Sequence, residues 1–298
     1  MEWKGIRGKI LENVPMKRYT SMRVGGPVKY LLYPLDEGDL RNVLKYLAHR
    51  NIPYRFLGNG TNVIVNDKGL NEALIRVTKM KRKGYARTGN GAVADVSGGM
   101  PLKQFIKDNA QHGLSGLEKL YWIPGTVGGA IKMNAGSFGA SVSDPLLTMR
   151  VLNAHGQIVT MTKQDGSFGY RTSPIRPKEC VLSARFDLKN RDKKEIAQDM
   201  EYVYRERKKR HPMEFPSAGS VFKGVKGEPA WKFIEKAGLK GLKVGGACVS
   251  EKHANFIVNL GPATANDVRT LINTIKREVF EKTGVSLEEE VELWGFNG

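Results

Sequence analysis

The sequence predicts an α+β chain in two parts. In the first half, short apolar runs alternate with stretches of helical spacing, a long polar helical stretch then interrupts this pattern, and a smaller set of strands and helices restarts beyond it. A chain of 298 residues is long enough for each part to bury its own core.

From the N-terminus, residues 36–50 place Leu40, Val43, Leu44 and Leu47 at helical spacing. Residues 55–57, 63–65 and 73–77 read as short strands separated by turn residues. Pro101 suits the first turn of a helix reaching about Gln111. Residues 147–152 and 157–162 read as a hairpin around Asn-Ala-His-Gly, and 180–188 as a further strand. Residues 193–211 form the long polar helix and mark a domain boundary, giving parts 1–190 and 191–298. In the second part, 219–222, 255–260 and 290–294 read as strands. Residues 229–237 form a helix closed by Gly238, and Thr264-Ala-Asn-Asp267 is a capping box for a helix ending near Gly284.

Composition excludes several classes. No run approaches a membrane-spanning length, and the first residues lack the apolar core of a signal peptide, so a cytoplasmic protein without membrane contact is expected. Two cysteines, Cys180 and Cys248, make no disulfide framework, and five scattered histidines show no metal-ligand spacing, so no metal is expected. The net charge of +18 raises nucleic-acid binding. Its one dense cluster, residues 202–211, fits the solvated face of a helix better. No nucleic-acid motif accompanies it, and no such partner is expected.

Two glycine-rich loops carry the chemistry. The longer, Ile123 to Gly139, holds five glycines in seventeen residues. Glycine costs backbone entropy, so this density calls for a reason. Successive free N–H groups in such a loop form an anion-binding concavity without any basic side chain. The shorter, Leu57-Gly-Asn-Gly-Thr-Asn62, reads equally well as the same device or as a plain turn. Neither is a P-loop nor the G-x-G-x-x-G dinucleotide fingerprint. Together they suggest a ligand with a diphosphate and a long body.

Seven segments, in order and covering nearly the whole chain, carry a resemblance. They are Thr20-Ser-Met-Arg-Val-Gly-Gly26, the two loops, Tyr170-Arg-Thr-Ser173, Ala218-Gly-Ser-Val-Phe-Lys223, Gly245 to Asn255, and Leu287-Glu-Glu-Glu-Val291. The chain resembles the UDP-N-acetylenolpyruvoylglucosamine reductases, flavoenzymes of peptidoglycan precursor synthesis. The resemblance implies an FAD-binding fold of the vanillyl-alcohol oxidase (PCMH) type, followed by a smaller α+β substrate domain. It implies non-covalent FAD, NADPH as reductant and a UDP-sugar substrate. The 49-residue step from Arg171 to Ser220 leaves no room for the long tyrosine-bearing loop of one subclass, so the chain resembles the subclass lacking it.

The reaction so implied reduces an enol ether of pyruvate to a lactyl ether. NADPH gives a hydride to FAD and leaves; the flavin then delivers it to the terminal vinyl carbon. Ser220 matches the proton donor. Arg171 matches the arginine holding the enolpyruvyl carboxylate, a task suited to a bidentate, permanently charged guanidinium. Glu290 matches the second polarising residue and would need a raised pKa. Gly58, Asn59, Gly60, Thr61, Asn62, Gly125, Thr126, Gly128, Gly129 and Asn134 are the candidates for FAD, and Lys223, Arg205 and Arg207 for the substrate. Arg171 and Ser220, on opposite sides of the boundary, are expected to face each other across a cleft. A monomer is expected.

Four positions depart from the family pattern. Trp122 and Ile175 stand where glycine and phenylalanine are usual, and Gly224-Val225 replaces Asn-Pro or Arg-Pro. An oxidase of the same flavin fold is the competing enzyme reading. Many such relatives attach FAD through a histidine placed like Thr61, which threonine cannot do.

Overall fold

The computed structural model describes residues 3–296. The chain begins with β1 (Lys9–Pro15), β2 (Pro27–Tyr33), α1 (Glu37–His49), β3 (Tyr54–Phe56), β4 (Val63–Val65) and β5 (Leu70–Ile75). Next come β6 (Lys83–Thr88), β7 (Gly91–Ser97), α2 (Leu102–Gln111), β8 (Leu114–Ser115), α3 (Val127–Lys132), β9 (Gly136–Ser137) and β10 (Ala140–Ser141). Then follow β11 (Leu146–Leu152), β12 (Ile158–Thr162), β13 (Cys180–Asn190) and α4 (Lys193–Arg210). The chain closes with β14 (Ser217–Ser220), α5 (Ala230–Lys236), β15 (Lys243–Val244), β16 (Ala247–Val249), β17 (Phe256–Asn259), α6 (Ala265–Thr283) and β18 (Glu292–Trp294).

By its contacts the chain forms two units. One comprises the chain up to Glu12, Tyr30–Asn59 and Glu72–Arg205. The other comprises Asn13–Lys29, Gly60–Asn71 and the chain from Glu206 onward. These units differ from a single division at 190/191 in two ways. The first fifteen residues after the boundary, 191–205, stay with the first unit, because Arg191 ties α4 to it through Glu118, Glu195 and Asp199. Two early segments belong to the second unit. Ser21 Oγ donates to Ser217 O (2.7 Å), Asn259 Nδ2 to Met22 O (3.0 Å), and Ala265 N to Asp67 Oδ1 (2.9 Å). Such non-local pairings leave no local signature in the sequence.

The first unit centres on an antiparallel sheet in the order β12-β11-β13-β7-β6, with β8 added beside β13. The expected hairpin is present as β11 and β12, with Leu152 paired to Ile158. The apolar face of α2 buries Leu102, Phe105 and Ile106 in the same core as Val96, Ile131 and Phe186. Ile175 joins this core at 7% exposure, filling with a branched side chain the place where the family pattern has phenylalanine. A second core gathers Leu32, Leu40, Val43, Leu47 and Ile75, the α1 positions being those read from periodicity. Asp36 caps α1 by accepting from Asp39 N (2.8 Å).

The second unit packs α5 and α6 with an antiparallel sheet in the order β14-β17-β16-β15. A parallel pair, β4 with β18, completes it. The capping box at Thr264 and Asp267 is formed, and α6 ends on Gly284 with φ +69°, where a left-handed residue needs no Cβ. Val268, Leu271, Ile272, Ile275 and Val279 are its buried stripe.

One half-buried group gives this unit a pH dependence. The His211 ring lies 5.2 Å from His253 and 5.0 Å from Phe256. Burial, then the charges of Arg207, His253, Arg210 and Lys252, push its pKa down to about 3. Burial also lowers that of His253. The unfolded chain therefore takes up protons first as pH falls through the ordinary histidine value of about 6.5. Stability is full above that value and declines towards about 3. Partial solvent access holds the loss near pH 5 to roughly 1–2 kcal/mol. Urea unfolding between pH 7 and 5 should show this slope, and a shallower one in His211→Phe. An unchanged slope in the variant would contradict the assignment.

Candidate active site

The short loop leaves β3 at Leu57, whose N–H donates to Ile75 O (2.9 Å). Arg76 then pins its first half: Nε donates to Gly58 O (3.0 Å), Nη2 to Asn59 Oδ1 (3.4 Å) and Nη1 to the Tyr33 hydroxyl (3.1 Å). A Cβ on Gly58 would stand 2.8 Å from Thr126 Oγ1, so the two glycine loops meet here. That contact needs glycine at 58. Nothing local in the sequence marked Arg76 as the loop's anchor.

The long loop differs from a run of free amides. Val127 N donates to Met100 O (2.9 Å), Gly128 N to Gly98 O (2.8 Å) and Gly129 N to the capping Thr126 Oγ1 (3.2 Å). The amides of Val127, Gly128 and Gly129 are spent inside the protein. A Cβ on Gly128 would come within 3.1 Å of both Gly98 O and Val181 O, so this glycine serves close packing of α3 on the chain beneath. The amides of Gly58, Asn59, Gly125 and Thr126 donate to no acceptor among the described residues. This smaller set, brought together by the Gly58–Thr126 contact, is the candidate anion cradle of the first unit.

Asn134 lies just beyond α3. Its Nδ2 donates to Gly169 O (2.7 Å), while its Oδ1 is buried without a hydrogen-bond partner. A buried acceptor left open is costly unless a ligand supplies the donor. The open amides and this orphaned oxygen fit FAD, whose diphosphate accepts and whose ring system carries an imide N–H.

Asn134 also anchors the turn that carries Arg171. Gly169 and Thr172 exchange both backbone hydrogen bonds at 3.2 Å, and Arg171 sits inside the turn with φ +55°. Ser173 Oγ donates to Lys132 O (2.7 Å), and Arg171 Nη2 donates to Gly136 O (3.2 Å). The end of the long loop thus fixes the arginine. A left-handed arginine held this firmly is backbone strain of the kind that gathers at functional sites.

In the second unit, Gly60 has φ +64°, and a Cβ there would lie 2.1 Å from Tyr19 O, so only glycine fits. Ser21 N donates to Gly60 O (2.9 Å), and Thr61 beside it is half-buried. Asn62 Nδ2 donates to Glu290 O (3.0 Å), and Glu292 N to Asn62 O (2.9 Å). A residue read as FAD-binding is therefore tied to the backbone of the candidate Glu290.

The structure also joins Glu290 to Ser220. Ser220 ends β14, opposite Phe256 of β17. The next carbonyl, that of Val221, accepts from Glu290 N (2.7 Å), and Lys223 N donates to Glu288 O (2.9 Å). Ser220, Lys223 and Glu290 thus share one small piece of backbone. Lys223, a candidate for the substrate, has its Nζ on Glu288. The Glu290 strand begins later than expected, at Glu292, because residues 289–291 pair with the Val221–Phe222 segment instead.

The candidate arginines on α4 are placed differently. Arg205, at 76% side-chain exposure, is bound through Nε to Glu201 one turn earlier, as on any solvated helix face. Arg207 is half-buried in the second unit.

The sequence departures have local reasons. Val225 N donates to Glu228 O (2.8 Å), closing a two-residue turn in which Lys226 and Gly227 have φ +52° and +83°. A proline at 225 would lack that N–H. Trp122 stacks on Tyr204 at 4.6 Å with Lys103 Nζ 3.4 Å from its ring centre. It lines a groove of about 490 Å³ between α2 and α4.

Among the described residues, no group of His, Cys, Asp and Glu is arranged to hold a metal, and no helix is long and apolar enough to cross a membrane.

With this geometry in hand, similarity to known proteins assigns the family. Residues 28–162 match the FAD binding domain family, and residues 211–294 match the C-terminal domain of UDP-N-acetylenolpyruvoylglucosamine reductase. The chain is 40% identical to the UDP-N-acetylenolpyruvoylglucosamine reductase of Carboxydothermus hydrogenoformans, over 98% of this chain and 96% of that one. It is 40% identical to the enzyme of that name from Streptococcus uberis, over 95% of this chain and 92% of that one. The crystal structure of UDP-N-acetylenolpyruvylglucosamine reductase from Thermus caldophilus superposes with a TM-score of 0.79 at 37% identity, covering 97% of this chain and 99% of that one. The chain belongs to the UDP-N-acetylenolpyruvoylglucosamine reductases, FAD-dependent, NADPH-using oxidoreductases of peptidoglycan precursor synthesis with an FAD-binding fold and a smaller α+β domain.

Proposed function

We propose that this chain reduces the enolpyruvyl ether of UDP-N-acetylglucosamine to the lactyl ether of UDP-N-acetylmuramate, with Arg171, Ser220 and Glu290 as its catalytic residues. The observation that carries the assignment is the 2.7 Å bond from Glu290 N–H to Val221 O, which sets the carboxylate-bearing residue beside the backbone of Ser220. The FAD-binding role falls to residues 1–190 and the substrate role to 191–298, each drawing on the woven segments described above.

Bound FAD would supply the hydride chemistry that links NADPH to the substrate's terminal vinyl carbon. The open amides of Gly58, Asn59, Gly125 and Thr126 would hold its diphosphate, with Gly60, Thr61 and Asn62 completing the short loop and Gly128 and Gly129 shaping the long one. Asn134, with its open Oδ1, would help hold the ring system. Arg171 binds the substrate carboxylate, into which negative charge spreads as the vinyl carbon is reduced. Ser220 Oγ–H gives its proton to the carbon next to the carboxylate. Glu290 polarises the same centre, and Lys223 and Arg207 bind the anionic end of the substrate. Arg205, paired and exposed, contributes charge that attracts the nucleotide. The enzyme works as a monomer in the cytoplasm.

The test of the cofactor assignment is direct. The purified protein should be yellow, and acid precipitation should release the flavin into the supernatant, since Thr61 offers no covalent attachment. A colourless protein that FAD cannot reconstitute would refute it.

A further inference from the structure

We propose that Asn255 is a positioning residue that aims Ser220 at the substrate; the proposal rests on the reading of Ser220 as proton donor. The Ser220 hydroxyl makes no hydrogen bond to another described residue. Its direction is therefore set by the backbone that carries it, from Gly219, with φ +81°, to Phe222.

That backbone is held on two edges. On one, Val221 O accepts from Glu290 N (2.7 Å) and Lys223 N donates to Glu288 O (2.9 Å). On the other stands Asn255, at 6% exposure, immediately before β17. Its main-chain carbonyl accepts from Val221 N (2.9 Å). Its side chain then makes both bonds that a neighbouring peptide would make: Oδ1 accepts from Phe222 N (2.9 Å) and Nδ2 donates to Phe222 O (2.8 Å). The pairing of β14 with β17 loses its register between Ser217 and Ser220. The Asn255 amide adds a rung beyond this irregular stretch, just past the end of β14, where strand pairing has stopped. Its own N–H donates to His253 Nδ1 (3.3 Å), so the clamp is itself held in place.

The chemistry required is that of a primary amide of this length. Aspartate would keep the acceptor for Phe222 N–H but place a second oxygen against Phe222 O. Leucine would leave both buried backbone groups unpaired. Either change frees the segment to rotate Ser220 Oγ off line, and a small misplacement costs rate at the chemical step rather than binding.

Asn255→Asp and Asn255→Leu, purified as holoenzymes, are compared with Ser220→Ala and with the double variant Ser220→Ala/Asn255→Leu. Stopped-flow absorbance reads flavin reduction by NADPH and reoxidation by UDP-N-acetylglucosamine enolpyruvate separately, with thermal melting alongside. The expected result is flavin reduction within about 2-fold of wild type and reoxidation slowed about 10- to 50-fold, kcat falling with KM little changed. The solvent deuterium isotope effect on reoxidation should rise. The double variant should be no slower than Ser220→Ala alone, as for two residues acting as one unit. Equal slowing of both half-reactions, a loss confined to KM, or additive effects in the double variant would overturn the positioning role. If Asn255→Leu fails to fold, Asn255→Asp, which keeps one of the two bonds, decides the matter by the same split. If Ser220→Ala itself leaves reoxidation intact, the donor assignment falls and takes this proposal with it. If Ser220→Ala is selective and the Asn255 variants are not, only the positioning role falls.

Discussion

Ser220→Ala leaves flavin reduction by NADPH near the wild-type rate and slows reoxidation by the enolpyruvyl substrate ~10²–10⁴-fold, the scale for losing a positioned proton donor. The asymmetry follows from the proposed chemistry. The hydroxyl serves only the step in which the substrate carbon takes a proton. Removing one oxygen at the end of β14 leaves the backbone clamp of Asn255 and Glu290 in place. FAD content should therefore match wild type. Equal slowing of the two half-reactions would make Ser220 structural instead.

Arg171→Ala damages the same half-reaction, by roughly 3–4 kcal/mol if the guanidinium is a preorganised stabiliser of charge building into the carboxylate. Preorganisation is visible in the tight Gly169–Thr172 turn, in the hydrogen bond to Gly136 O (3.2 Å) and in the left-handed backbone of Arg171. Arg171→Lys should recover only part of the loss, since an ammonium cannot bind a carboxylate through a planar fork. Substrate titration of the reoxidation rate separates the effects. A change in apparent affinity with an unchanged limiting rate would reduce Arg171 to a binding group.

Local chemistry made much of the fold legible. The apolar spacing of α1, the capping box and terminal glycine of α6, and the turn that closes β11 and β12 all lie within a few residues of one another. Nothing in the sequence marks β6 and β7, because one is almost wholly exposed and the other sets glycine, alanine, Asp95 and serine around two separated valines. The strand expected at 219–222 forms at 217–220, and the one expected at 290–294 starts only at Glu292, because the Asn255 side chain and the Val221 carbonyl take over the pairing, and such substitutions of partner are non-local.

The candidate site was legible in kind and less so in detail. Glycine density marked both loops. It did not show that Gly98 and Met100 would consume the amides of Gly128 and Val127, leaving those of Gly58, Asn59, Gly125 and Thr126 open. Motif order supplied Arg171, Ser220 and Glu290. Only the fold reveals that Asn134 both anchors the Arg171 turn and keeps a buried oxygen open.

An anaerobic titration followed by flavin absorbance tests the central claim most directly. NADPH should bleach the bound flavin, and UDP-N-acetylglucosamine enolpyruvate added without oxygen should restore the colour in a stoichiometric step. A flavin that NADPH bleaches but only oxygen restores would contradict the account and make the protein an oxidase of the same fold.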